Sequence, residues 1–173
     1  MARSATRTPT AVPLPSRVAP QVTQLVDAAP DGDSSLHEIK YDGYRMVARL
    51  DQGAVKLLTR TGFDWTGKYP AIARAVAALD ARQAYLDGEL YGVGPDGITS
   101  FNLIRIAADA GRAGSLVFFL FDLLHLDGDN VAARPLIERK ARLAELVAPV
   151  PPPLHTAIIR SGTGPPFTPK PAR

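Results

Sequence analysis

The sequence predicts an α+β fold built on antiparallel sheet. Short apolar runs recur between Gly- and Asp-rich turns, as in YRMVARLD and AVKLLTR on either side of Asp51-Gln52-Gly53. Helical spacing appears between the strands, with Ile72, Val76 and Leu79 on one face of YPAIARAVAALD. The chain has 173 residues, 46% of them hydrophobic, enough for one domain with a real core.

Taken in order, residues 1–19 are rich in Ser, Thr, Pro and Arg, with Arg3, Arg7 and Arg17 as charges and no acid before Asp27. This reads as a disordered basic arm, because Pro9, Pro13 and Pro15 interrupt any amphipathic helix. QVTQLVDA reads as a short helix and Asp31-Gly32-Asp33 as a turn. LHEIKYD, YRMVARLD and AVKLLTR follow as three strands, then the helix in YPAIARAVAALD. AYLDGELYGV is a strand, ending at a turn over Gly94-Pro95-Asp96-Gly97. Ser100 is placed to cap a helix in FNLIRIAADAG, with Gly111 just past its end. SLVFFLFDLLHL is apolar on both faces and is expected inside the sheet. PLIERKARLAELV is a helix with Pro135 at its first turn. From Ala148 onward the chain is proline-rich and lacks a sustained period, so 151–173 is expected to be poorly packed.

The composition excludes some chemistry. There is no cysteine, so neither disulfides nor thiolate metal sites are possible, which fits the cytoplasm. His37, His125 and His155 are too scattered for a histidine zinc site. The apolar run at 116–121 is far below the roughly 20 residues of a membrane span. A net charge of +3 is compatible with a polyanionic partner.

Four motifs hold residues suited to chemistry. In LHEIKYDGYR, strand alternation puts Glu38, Lys40 and Asp42 on one face and Ile39 and Tyr41 on the other. In YLDGELYG, Asp87 and Glu89 share a face, a pair able to hold a ribose hydroxyl or hydrated Mg²⁺. In FFLFDLLHLDG, an aromatic at the strand end can stack on a base. In LLTRTGFDWTGKYP, Arg60 opens a Gly-containing loop. Read singly, each is also what a solvated charged strand or a plain core strand would contain.

In series, HEIKYDGYR, the Arg60 loop, LDGEL and FDLLHLDG resemble the nucleotidyltransferase (adenylation) domain of ATP-dependent DNA ligases, above all the ligase module of bacterial end-joining repair ligases. The likeness runs from about Leu25 to His155. It implies an ATP-grasp-like domain of antiparallel sheets flanked by helices, spanning 20–150 and incomplete at its C-terminus.

The resemblance also implies roles. Lys40 matches the lysine that attacks the α-phosphorus of ATP. Glu38 and Ile39 match residues at the adenine edge. Arg45 and Arg60 match arginines on sugar and phosphates, Glu89 the ribose-binding acid and possible metal ligand, and Phe121 the aromatic stacked on adenine. Asp42, Gly43 and Asp87 support the site, Gly43 by letting the backbone turn tightly. ATP and Mg²⁺ are the implied small molecules. Nicked or broken duplex DNA and end-joining repair proteins are the implied partners, in a bacterial, nucleoid-associated setting with no membrane. RNA ligases and capping enzymes share the KxDG logic but fit less well. A non-catalytic nucleotide- or DNA-binding remnant and a fragment completed by another chain are the alternatives.

The family's later acid-Gly-x-Val-x-Lys and Lys-x-Lys segments do not occur in this sequence. Thr156-Ala157-Ile158-Ile159 is what codons for Tyr-Ser-Asp-His yield one base out of phase, so 156–173 is expected to be a frameshifted tail. Impaired activity is the expected consequence.

Overall fold

A computed structural model describes residues 11–27, 35–39, 43–94, 99–100, 103–104, 116–157 and 159–161. The main sheet contains β2 (Tyr44–Asp51), β3 (Ala54–Thr59), β4 (Gln83–Val93), β5 (Thr99–Ser100), β6 (Leu116–Leu126) and β7 (Leu154–Thr156). Its order is β3-β2-β4-β6-β7, with β5 paired to the end of β4. All pairs are antiparallel except β6 with β7. Parallel neighbours need a long crossover, and the helix α2 (Leu136–Val147) provides it. A separate two-stranded ribbon joins β1 (Leu36–Glu38) to β8 (Ile159–Ser161). The architecture is thus mixed α+β, as the alternating runs predict.

One face of the sheet carries the core. Met46, Ala48 and Leu50 of β2, Leu86 and Leu90 of β4, and Phe118 and Leu120 of β6 form one buried cluster. Helix α1 (Pro70–Ala77) adds Ile72 and Val76, and α2 adds Leu143 and Val147. Each of these side chains larger than Ala48 contributes about 1.5–3 kcal/mol by leaving water. Pro70 opens α1, where a missing N–H costs nothing.

Part of the other face is covered from the N-terminal side, which corrects the expectation of a disordered arm over all of 1–19. Residues 11–27 are neither helix nor strand, and they bond to the sheet. The Val12 amide donates to the Gly128 carbonyl, and the Val18 amide to the Tyr85 hydroxyl at 2.8 Å. The Pro15 carbonyl accepts from Arg49 Nε and the Gln21 carbonyl from Arg45 Nη1. The helix expected in QVTQLVDA is absent for the same reason. Val22, Leu25 and Val26 remain exposed, so an amphipathic turn there would bury nothing.

Other boundaries also move. Of LHEIKYD, Leu36–Glu38 is strand and Ile39 is not, Lys40–Asp42 lie outside the described residues, and the strand pairs with β8 rather than with its sequence neighbour. Ser100 lies in β5, not at a helix cap. Of the expected helix in FNLIRIAADAG only Leu103 and Ile104 are described, both helical, and the turn at 95–97 lies outside the described residues. The segment after Ala148, expected to be poorly packed, supplies β7 and β8, and Leu154 is buried in the core.

Candidate functional site

The alternation of β2 and β4 turns Arg45, Val47, Tyr85, Asp87 and Glu89 away from the core. The register sets Arg45 opposite Glu89 and Val47 opposite Asp87. Arg45 reaches diagonally to Asp87, donating from Nε to Oδ1 at 3.1 Å and from Nη2 to Oδ2 at 2.7 Å. Asp87 is 4% exposed, so the pairing answers an otherwise costly buried charge. The hydrogen bonds to Asp87, reinforced by its charge, outweigh burial and hold the Arg45 guanidinium above its ordinary range.

A β-bulge between Asp87 and Gly88 sets Asp87 against Asp122 and Gly88 against Leu120, leaving Phe121 unpaired between them. That extra residue carries its ring to the site. The Arg45 guanidinium stands 5.1 Å from the Phe121 centroid, a cation–π contact. Gly88 permits the close packing, since a Cβ there would come within 2.6 Å of the Phe119 carbonyl oxygen.

Glu89 accepts the Gly43 amide on Oε1 at 2.9 Å. This fastens the backbone just after Lys40 and Asp42, which themselves lie outside the described residues. Gly43 is required by its proximity to β4. A Cβ there would sit 2.3 Å from the Leu90 carbonyl oxygen, while its φ is not in the left-handed region.

Glu38 arrives from β1 and Ile39 follows it, 57% exposed. Glu38 meets Lys140 of α2, whose ammonium donates both to Glu38 Oε1 and to the Phe121 carbonyl. The preceding Arg139 grips Asp122 with Nε at 2.8 Å and Nη2 at 3.0 Å. Arg60 sits just beyond Thr59, which pairs with Met46, so it stands level with Arg45 at one end of the sheet. It lines a shallow groove with Arg17, Val47 and Tyr85, and no bond ties it to Arg45.

The structure therefore brings Arg45, Asp87, Glu89, Gly43 and Phe121 together, with Glu38 joined through Lys140 and Arg60 set to one side. Lys140 and Arg139 were not anticipated. The signal for Lys140 was its spacing: with Leu143 and Val147 it forms the buried stripe of α2, an odd place for a lysine. Metal donors are scarce. Asp87 is engaged by Arg45 and Glu89 by Gly43, and among the described residues no group of three His, Cys, Asp or Glu is placed to hold an ion. A protein-built Mg²⁺ cage does not fit these residues.

This mixed α+β sheet with its two helices matches the nucleotidyltransferase domain of DNA ligases. A family model described as ATP dependent DNA ligase domain matches residues 14–163, and the chain belongs to that family. It is 38% identical over 135 residues to the multifunctional non-homologous end joining protein LigD of Pseudomonas aeruginosa, covering 78% of this chain and 16% of that protein. It is 36% identical over 144 residues to the DNA ligase of Pyrobaculum calidifontis, covering 75% of this chain and 25% of the other. The crystal structure of the ligase domain from M. tuberculosis LigD superposes with a TM-score of 0.59 at 32% identity, over 73% of this chain and 40% of that one. A mycobacterial DNA ligase D complexed with ATP and MES gives 0.59 at 31% identity, over 75% and 41%. The chain thus spans well under half of each of these relatives. Among the described residues no helix is long and apolar enough to cross a membrane.

Proposed function

We propose that the chain binds ATP on the face formed by β2, β4 and the bulge of β6, and that Lys40 is its nucleophile. The convergence of Arg45, Asp87, Glu89 and the unpaired Phe121 on one sheet face carries this reading. Adenine would stack on Phe121, Glu89 would hold the ribose, and Arg45 and Arg60 would face the sugar and phosphates. A free lysine ionises near ~10.4, so Lys40 must lose a proton before it attacks. Its nitrogen then bonds the α-phosphorus while the bond to pyrophosphate breaks. Mg²⁺ would reach the site with the triphosphate and neutralise its charge.

In later steps AMP would pass to a 5′-phosphate and a 3′-hydroxyl would displace it, with nicked DNA as substrate and end-joining proteins as partners. Phosphoryl transfer depends on positioning and charge neutralisation. These 173 residues by themselves are expected to adenylate weakly and to seal little. Incubation with α-labelled ATP and Mg²⁺ tests this. Saturable ATP binding and a sparse label that vanishes in Lys40→Ala are expected. No ATP binding would defeat the reading, and stoichiometric label with efficient sealing would defeat its impaired part.

A further inference from the structure

Lys140 is 7% exposed, and a buried ammonium is costly unless its protons are used. Its two acceptors belong to separate parts of the site. The Phe121 carbonyl is the backbone of the ring on which a base would stack, and Glu38 Oε1 lies on the strand leading to Lys40. The contact with Glu38 spans 102 residues of sequence. One ammonium therefore fixes a carboxylate at a set offset from an aromatic plane. It occupies Oε1, and among the described residues no hydrogen bond engages Oε2.

We propose that Lys140 is a positioning residue for base selection: it aims Glu38 Oε2 at the 6-position of a purine stacked on Phe121. An ionised carboxylate only accepts hydrogen bonds. It can therefore accept a hydrogen bond from the 6-amino group of adenine, whereas the 6-oxo group of guanine or hypoxanthine sets two acceptors against each other. A site built to pair one polar group rejects the mismatched analogue by leaving buried groups unpaired. Arg139 assists by holding Asp122, next to Phe121, from the same turn of α2. This inference rests on the ATP-binding reading and adds the residue that sets the base.

Equilibrium binding of ATP, GTP and ITP to the 173-residue chain and its variants is the test. ITP isolates the 6-position, since it differs from GTP in lacking the 2-amino group. The native chain is expected to favour ATP over ITP by about tenfold or more. Lys140→Met should bring the ratio near one while ITP affinity stays within about threefold, and Lys140→Arg should restore part of the preference. Glu38→Gln should also relax it, because the amide can turn its NH₂ toward a 6-oxo group, and the double variant should lose nothing more. An equal loss of affinity for all three nucleotides in Lys140→Met would overturn the proposal and leave a purely structural clamp. Equal binding of ATP and ITP by the native chain would overturn it while ATP binding stands, and failure to bind any nucleotide would end both. Should Lys140→Met fail to fold by circular dichroism, the ratio in Glu38→Gln decides, since that side chain is partly exposed on a short strand: an unchanged preference for ATP overturns the proposal.

Discussion

Arg45 and Asp87 meet fork to fork, two parallel hydrogen bonds joining neighbouring strands of the sheet. The carboxylate is nearly sealed from water, while the Arg45 side chain keeps 24% of its exposure. Asp87→Asn removes the charge and one acceptor. The partial exposure of Arg45 moderates the cost of stranding it, so a loss of about 1–3 kcal/mol is expected in urea unfolding. Arg45→Lys should not recover the geometry, because an ammonium lacks the planar fork.

Gly43→Ala places a methyl against the Leu90 carbonyl oxygen, and backbone must move to admit it. A destabilisation of about 1–3 kcal/mol is expected. The displacement should also loosen the Gly43–Glu89 bond, so ATP affinity should fall in a titration at a temperature where the variant is folded.

Two arginines near α2 differ in what they hold. Arg139 and Asp122 are 16% and 19% exposed, whereas Arg134 and Asp129 are 38% and 39% exposed. Arg139→Ala should cost about 1.5–3 kcal/mol. Arg134→Ala should cost under about 1 kcal/mol, its pair being well solvated. Parallel thermal melts would reveal the contrast, and equal losses would contradict it.

His125 is buried, and its Nε2 accepts the Gly128 amide at 3.2 Å. Burial holds its ionisation below the ordinary value of 6.5. The unfolded chain therefore binds this proton first as pH falls. The stability contributed by neutral His125 is complete above about 6.5 and drains away as pH drops toward the lowered value. Melting temperature should fall between pH 7 and 5, and less steeply in His125→Gln.

The N-terminal segment makes a backbone prediction. The Val18 amide, bonded to the buried Tyr85 hydroxyl, should exchange with deuterium more slowly than the amide of Leu25, whose side chain is fully exposed. Replacing Tyr85 with Phe should erase the difference.

The strands of the main sheet were legible because their alternation and turns are local signals, as at Asp51-Gln52-Gly53, where Gln52 and Gly53 both take positive φ. The bulge was not, because nothing in FFLFDLL marks which residue the register will skip; the partner strand decides it. The path of 11–27 was hidden for a related reason. Its partners, Tyr85, Arg49 and Arg45, are remote in sequence, and extended backbone leaves no period to read. Glu38, Arg45, Glu89 and Phe121 were singled out through motif order, whereas Lys140, which bonds Glu38 from the buried stripe of α2, belongs to no motif.

The pairing of β1 with β8 also has a consequence for how the chain comes off the ribosome. The strand that leads to Lys40 is made early, but its hydrogen-bonding partner is made about 120 residues later. Translation at ~5–20 residues per second puts that delay at roughly 6–25 s. Lys140, the other tether, is also late, so the β2–β3 hairpin can close while β1 still waits. Among the described strands β1, which leads to Lys40, therefore gains its hydrogen-bonding partner last.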